Sequence, residues 1–213
     1  MYIPRHFQEE RIPVLHGLIR EQGFAMLVTL CADGLVASHI PVILDTEPEP
    51  LGTLRGHVSR ANPQWRTLVP GVRALAIFSG PQHYVSPSWY PEKQETGRVV
   101  PTWNYAVVHA YGHVRIIEDA DWLRRHVTSL TAAHEADFPE PWKVTDAPDE
   151  YIASMVKGIV GIEIPIESLE GKWKVNQNRS AADRAGFVSA LESLGGPASA
   201  EMARLVEASL PDK

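Results

Sequence analysis

Two apolar runs that flank a short turn signal constrain the fold more than any other stretch of the sequence. Residues 24–31 and 35–44 are rich in Leu, Val and Ile, and Asp33-Gly34 lies between them. An Asp-Gly pair is typical of a tight hairpin turn, because such turns need positive φ angles. Both runs are apolar at consecutive positions, as in strands that close a barrel or are covered on both faces. We therefore predict an antiparallel hairpin within a larger sheet.

Two polar residues, Ser38 and His39, interrupt the second of these runs. A buried serine or histidine usually satisfies its hydrogen bonds locally. A polar pair in an otherwise apolar strand can also line a binding site, and the sequence leaves both interpretations open.

A second strand is predicted at 105–117 by its alternation. From 108 to 116 the even positions are small or apolar, while the odd positions are polar, among them His109 and His113. This period of two is typical of a half-buried strand. The two histidines would share one face but lie roughly 13 Å apart at about 3.3 Å per residue. One metal ion cannot bind both, so no metal site is predicted.

The remaining patterns predict a mostly β protein with peripheral helices. Aromatic side chains concentrate in residues 77–114, several of them on predicted loops, where binding residues are common. Gly80-Pro81 predicts a turn within this stretch. Further strands are predicted at 51–58, 71–79, 84–89 and 158–166, and helices at 8–22, 119–134, 149–157, 180–194 and 199–209.

Composition excludes several classes of protein. The 213 residues are 44% apolar, the formal net charge is −6, and Cys31 is the single cysteine. No disulfide can form within the chain, and the thiol is predicted to be a buried core side chain and not a nucleophile. No apolar run approaches 18 residues and no leader pattern precedes the first helix, which indicates a soluble, cytoplasmic protein. An acidic chain without a basic stripe gives no support to direct DNA binding.

The polar string at 56–65, GHVSRANPQW, is the most informative in the chain. Asn62-Pro63 predicts a helix start with Asn as cap, and the helix is expected to continue to Leu68. Ser59 and Arg60 stand just before it, so a hydroxyl, a cation and free backbone N–H groups favour a phosphate site. An ordinary capped helix with a solvated arginine is the alternative.

A second cationic cluster lies near the C-terminus, at Lys172, Lys174 and Arg179. In an acidic chain it favours a small anion as ligand, and a solvated loop is the alternative.

Several motifs taken in order resemble the PaiB family of FMN-binding negative transcriptional regulators. They are MYIPRHF, GHVSRANPQW, YVSPSWY, VPTWNYAVVHAYG and KWKVNQNR. The resemblance implies a split β-barrel of the pyridoxamine-phosphate-oxidase type, with six antiparallel strands in a Greek key. It also implies a homodimer with FMN at the subunit interface. The chain would be a single domain, 1–213, with a barrel core at 1–168 and a cofactor-reaching segment at 169–213.

The resemblance also implies which residues bind FMN. Ser59-Arg60 is similar to the Ser-Arg-Lys string that holds the phosphate in the wider group, although Ala61 stands where that group has lysine. The phosphate would then be held less tightly, or a cation from elsewhere would hold it, and Lys174 and Arg179 could supply that cation. Ser38 and His39 lie where the group lines the flavin ring. The full set of expected cofactor residues is Ser38, His39, His57, Ser59, Arg60, Asn62, Trp103, Asn104, Lys174, Gln177 and Arg179.

The expected function is that of an FMN-binding regulatory or redox-sensing dimer. The alternative is a flavin-dependent oxidoreductase acting with a nicotinamide or a small substrate, although no catalytic constellation is recognisable. Haem in place of flavin is disfavoured, because no histidine follows His134 to serve as a ligand.

Overall fold

A computed structural model describes residues 1–209, and the elements within this range are predominantly β. The strands are β1 Gln8–Glu9, β2 Phe24–Cys31, β3 Gly34–Asp45, β4 Thr53–Ser59, β5 Ala74–Val85, β6 Thr102–Gly112, β7 Arg115–Ile117, β8 Ile159–Pro165 and β9 Ser168–Lys174. The helices are α1 Ile12–Gln22, α2 Glu92–Glu95, α3 Ala120–Glu135, α4 Asp149–Lys157, α5 Ala181–Leu194 and α6 Pro197–Ala208. Within residues 1–209, no helix combines the length and the apolar character that crossing a membrane requires.

The chain forms two compact units that interleave along the sequence. The first unit contains Met1–Leu15, Ser79–Val108 and the residues from Glu170 onward. The second unit contains His16–Phe78 and His109–Leu169. Each unit has its own buried side chains, and each is described separately below.

The second unit is built on antiparallel strands. β2 pairs with β3 and with the first part of β5, while β4 pairs with β3 and with β8. β8 also pairs with β7. The predicted hairpin is confirmed: Cys31 lies opposite Gly34, whose φ of 115° suits glycine at the turn.

One face of the hairpin is buried and the other is not. Ala25, Leu27 and Cys31 point into the core of the second unit, where Cys31 is a free, buried thiol. The alternate residues of β2 and β3 form an outer face, exposed in the single chain, that includes Phe24, Met26, Leu30 and Leu35. The sequence suggested strands covered on both faces, and within one chain only the inner face is covered.

Helices α3 and α4 cover another part of the second unit. Leu123 and Val156 form a buried cluster with Val144 and Ile152. The side chain of Asp119 accepts a hydrogen bond of 2.7 Å from the Trp122 N–H, which confirms the predicted cap of α3.

The first unit combines a strand pair with a helical hairpin. β1 pairs with β9, with Gln8 opposite Lys172. In α5 and α6, Phe187 and Met202 are fully buried, and the Phe187 ring lies 5.8 Å from that of Trp89. Ser180 caps α5 by accepting from the Asp183 N–H, as the sequence predicted.

Several predictions of local structure are wrong. The strands predicted at 71–79 and 84–89 are one strand, β5, which ends at Val85, and Pro87–Trp89 forms a 3-10 turn. Gly80-Pro81 is not a turn, because β5 runs through it to Val85; a strand tolerates proline where the missing N–H is not needed for pairing. The helix expected to reach Leu68 is a single 3-10 turn, Pro63–Arg66. The predicted helix at 8–22 begins at Ile12, because Gln8–Glu9 pairs as β1.

The long strand predicted at 105–117 is divided into β6 and β7. Its alternation is confirmed, since the even residues from Asn104 to Gly112 are buried. The strand ends at Gly112, where a Cβ would lie 2.1 Å from the carbonyl oxygen of Pro165, so this close approach requires glycine. Beyond it, His113 hydrogen-bonds to the Glu167 carboxylate instead of continuing the strand.

Candidate functional site

A cavity of about 540 Å³ opens in the second unit where two strands diverge. β3 pairs with β2 as far as Pro41 and with β4 from Val42 onward. β4 in turn leaves β3 after Gly56. The gap between the diverging strands is the β3–β4 cavity, and Met155 of α4 and Ile159 of β8 also line it. Five residues expected to bind the cofactor line it: Ser38, His39, His57, Ser59 and Asn62.

Asn62 organises the polar wall of the cavity. Its Oδ1 accepts a hydrogen bond of 3.0 Å from the Gln64 N–H, and its Nδ2 donates to Ser38 Oγ at 3.0 Å. Ser38 thus accepts with one lone pair and keeps its hydroxyl proton for another partner. Ser59 Oγ likewise accepts from the Ala61 N–H at 3.3 Å. Both hydroxyls are therefore set up to donate to a ligand.

Two imidazoles border the same cavity. His39 is exposed and lies near the Phe24 ring, with centroids 6.1 Å apart. His57 is half-buried, and its Nδ1 lies 3.1 Å from Nε2 of the buried His126. Burial lowers the pKa of His57. Burial, followed by the effects of His57 and Arg55, lowers the pKa of His126 to about 4. Both rings are therefore neutral at pH 7.

Arg60 lies outside this cavity. Its Nη1 pairs with Glu118 Oε2 at 2.5 Å, and its Nε and Nη2 donate to the carbonyl oxygens of Lys157 and Ile159. It lines a different cavity of about 490 Å³, bordered by residues of α3 and α4. The residues that line the β3–β4 cavity include no lysine or arginine. The cation expected beside Ser59 is thus already paired with an acid.

The cations predicted near the C-terminus lie in the first unit. Lys174 Nζ donates to the hydroxyl of Thr102 and to the carbonyl oxygen of Trp103. Burial and the charges of Lys172 and Arg179 lower the pKa of Lys174. These three residues form the cationic group, in which Arg179 pairs with Glu92 at 3.2 Å.

The other expected residues of the first unit differ in accessibility. Trp103 is exposed and packs edge-on against Tyr84. Gln177 uses both ends of its amide locally, accepting from the Val175 N–H and donating to the Trp173 carbonyl oxygen. Asn104 is fully buried, and its amide has no hydrogen-bond partner among the described residues. A ligand in solution can thus reach Trp103 directly but not Asn104.

Sequence reasoning missed His126 and Met155. His126 occurs in the predicted helix at 119–134, between the apolar positions Leu123 and Leu130. The position of a histidine on the apolar face of a predicted helix was the sequence signal that could have identified it as a buried polar residue. Met155 projects from a helix that the sequence placed correctly, and no pattern in the chain marked it as a cavity residue.

Comparison with known proteins identifies the kind of fold and then the family. Among solved structures, the FAD and haem binding protein of Mycobacterium smegmatis superposes with a TM-score of 0.58 at 15% identity, covering 78% of this chain and 73% of that one. The flavocytochrome Anf3 of Azotobacter vinelandii gives 0.57 at 8% identity, with 81% and 72% covered. The fold is thus the mostly antiparallel split barrel expected from the sequence.

Sequence comparison is more specific. Residues 1–168 match the family described as "Putative FMN-binding domain". The chain is 31% identical to protease synthase and sporulation protein PAI 2 of Bacillus subtilis, over 97% of both proteins. It is 36% identical to an uncharacterized protein of Emericella nidulans, over 97% of this chain and 96% of that one. The chain belongs to this family of FMN-binding domains of PaiB type, and FMN is its cofactor.

The residues of the cavity suit the neutral parts of FMN. A volume of several hundred Å³ with a few converging polar groups is typical of cofactor sites. Free hydroxyl donors at Ser38 and Ser59 match a ligand rich in acceptor oxygens, while Met155 and Ile159 supply an apolar wall.

Proposed function

We propose that this protein is an FMN-binding homodimer with a regulatory or redox-sensing role. The β3–β4 cavity carries the proposal, since five independently expected residues line it. Bound FMN supplies reversible electron transfer. The chain binds it, orients it and limits the access of water.

Roles for the cavity residues follow from the hydrogen bonds that their side chains can still make. The hydroxyl protons of Ser38 and Ser59 donate to acceptor atoms of FMN, and Asn62 holds Ser38 in place. The imidazoles of His39 and His57 supply further polar contacts. Arg60 contributes indirectly, because its bonds to the carbonyl oxygens of Lys157 and Ile159 fix the backbone beside Gly158, which lines the cavity.

The proposed cofactor residues of the first unit act mainly through charge. Two lysines of the cationic group, Lys172 and Lys174, donate to backbone or hydroxyl oxygens, so an anion can still gain from their charge. The cationic group is therefore proposed to attract the phosphate, with Trp103 as an exposed ring for a planar ligand. Gln177 supports these residues through its hydrogen bonds to the backbone of Val175 and Trp173, and the amide of Asn104, unpaired within residues 1–209, is proposed to become accessible to the cofactor in the dimer.

The outer face of β2 and β3 supports a homodimer. Phe24 is 58% exposed and Leu35 is 77% exposed, values unusual for large apolar side chains on adjacent strands. On the same face Met26 lies opposite His39, and Phe24 lies opposite Pro41. His39 and Pro41 also line the cavity. A second copy covering this face would therefore border the cofactor.

Two measurements test this proposal. Titration of purified apoprotein with FMN should quench flavin fluorescence at about one flavin per chain. Light scattering after size exclusion should give twice the mass of the chain, and Leu35→Lys should give the monomer. Val72→Lys, which changes an exposed valine outside β2 and β3, is the matched control. Absence of quenching at micromolar protein would refute the cofactor site, and a wild-type monomer would refute the dimer.

The regulatory role rests on similarity to PAI 2, whose name assigns it to protease synthesis and sporulation. With a net charge of −6, the chain is proposed to act through a partner or a redox signal instead of contacting DNA itself. A gel shift that persists at about 0.2 M salt, where nonspecific phosphate contacts are much weakened, would contradict this.

A flavin-dependent oxidoreductase is the second candidate. The exposed imidazole of His39 at the cavity favours it, since histidine can transfer protons near neutral pH. NADH should then bleach the absorbance of bound FMN under anaerobic conditions. Bound FMN that NADH leaves oxidised supports the regulatory proposal instead.

A further inference from the structure

The histidine pair beside the cavity has a defined arrangement of protons. His57 Nδ1 and His126 Nε2 are 3.1 Å apart, so one ring proton lies between them. With both rings neutral, two arrangements are possible. Either His57 donates from Nδ1, or His126 donates from Nε2. The two arrangements differ in whether the other nitrogen of each ring carries a proton or a lone pair.

Burial of His126 distinguishes the two arrangements. Its Nδ1 is inaccessible and has no hydrogen-bond partner among the described residues. If His57 donated, His126 would carry its own proton on this Nδ1, as a buried N–H without an acceptor. If His126 donates from Nε2, its Nδ1 holds only a lone pair. Buried N–H groups without acceptors are rarer than unfilled acceptors, which favours donation by His126.

The surroundings of His126 hold its ring in this position. The Trp122 ring stacks on it, with centroids 5.2 Å apart and planes 18° apart. The His57 ring meets it edge-on, at 5.3 Å and 72°. Arg55 is the charged group near the pair, and it is itself paired with Asp45 and Glu163. Since the ring is fixed by packing, its Nε2 has a constant direction.

We infer that His126 is a positioning residue whose Nε2–H donates to Nδ1 of His57 and thereby fixes the His57 proton on Nε2 as a donor to FMN. The inference rests on the proposed FMN site, because His57 lines the β3–β4 cavity. Among residues 1–209, His57 makes its side-chain hydrogen bond through Nδ1, so a cofactor acceptor can take the proton on Nε2. His126 does not itself line the cavity and acts only through His57.

The first test needs no cofactor. Long-range proton–nitrogen NMR of the apoprotein at pH 7 reports which nitrogen of each histidine is protonated. Protonated Nε2 is expected on both His57 and His126. Protonated Nδ1 on His57 would overturn the inference, whether or not the protein binds FMN.

The second test compares two substitutions of the same residue by FMN titration. His126→Gln keeps an N–H donor near the Nε2 position, and its affinity for FMN should stay within about threefold of wild type. His126→Phe keeps the stacking on Trp122 but removes the donor, and its affinity should fall about tenfold. His134→Phe, at an exposed position of the same helix, should have no effect.

A third test asks whether the effects of substituting His57 and His126 on FMN affinity are additive. His57→Phe alone and His57→Phe combined with His126→Phe should weaken FMN equally, because His126 acts only through His57. Equal losses in the Gln and Phe variants of His126, with melting temperatures lowered equally, would show a purely structural role and overturn the inference. Failure of wild type to bind FMN would instead refute the proposed function, and the NMR result would still decide the tautomer.

Discussion

The two groups of expected cofactor residues, those of the β3–β4 cavity and those of the first unit, differ in the interactions that they can make with a ligand. In the β3–β4 cavity, Ser38 and Ser59 keep hydroxyl protons, but no lysine or arginine lines the wall. In the first unit, Lys174 donates to uncharged oxygens of Thr102 and Trp103, while Gln177 uses its amide for hydrogen bonds within its own segment. Hydroxyl donors therefore characterise the cavity, and positive charge characterises the cationic group.

The largest expected effect is the loss of folding stability when the buried His126, beside the cavity, is protonated. The folded state holds the pKa of His126 near 4, while an unfolded histidine has its ordinary value near 6.5. Between these values the unfolded state binds the proton and the folded state does not, so stability falls as the pH is lowered from 6.5 to about 4. The loss through His126 should be on the order of 3 kcal/mol.

Urea unfolding of wild type and His126→Phe across this range measures that loss. The variant should be less sensitive to acid, since it has no group to protonate at this position. Equal slopes of stability against pH in the two proteins would show that His126 is not held neutral by the fold.

A smaller effect tests the charge of the first unit. Lys174→Met removes the cation but keeps most of the apolar stem, and FMN should bind about 30-fold more weakly because a charge-assisted contact to phosphate is lost. Riboflavin, which lacks the phosphate, should bind the variant and wild type equally. Calorimetric titration with both ligands gives the comparison, and Lys157→Met is the matched control. Equal losses for the two ligands would contradict a phosphate role.

A substitution in the cavity should weaken both ligands equally. Asn62→Ala removes the donor that holds Ser38, so FMN and riboflavin should both bind about tenfold more weakly. It also removes the cap at Gln64, which lowers stability by about 1 kcal/mol. Asn62→Asp keeps the capping oxygen at Gln64 but replaces the donor to Ser38 with a charged acceptor, so it should retain stability but not affinity. A loss confined to FMN would place the phosphate in this cavity.

The smallest effect on binding is expected at Gln177. Gln177→Ala removes two local hydrogen bonds of the first unit and should lower stability by about 1 kcal/mol. FMN affinity should change by less than about threefold, because neither end of the amide is free. Fluorescence titration and thermal melting of one preparation separate the two effects. A larger loss of affinity than of stability would make Gln177 a direct ligand.

Much of the fold could be predicted from local patterns. The β2–β3 hairpin and the start of α3 follow from Asp33-Gly34 and from the cap at Asp119, which act over a few residues. The ends of β5 and β6 could not be predicted in this way. β5 runs through Pro81, and β6 ends at Gly112, which lies against the backbone of Pro165, distant in sequence.

The candidate site, like the fold, was predictable from the sequence only in part. The sequence by itself determined which residue types were available, and a family resemblance marked Ser38, Ser59 and Asn62 as cofactor residues. Tertiary structure alone decided that Arg60 pairs with Glu118 and that His57 meets His126, 69 positions along the chain. Hydrogen bonds and ion pairs depend on separations of a few ångströms between atoms. Sequence patterns report only the face of a helix or strand on which a side chain lies, so the partners become known only when the elements are packed together.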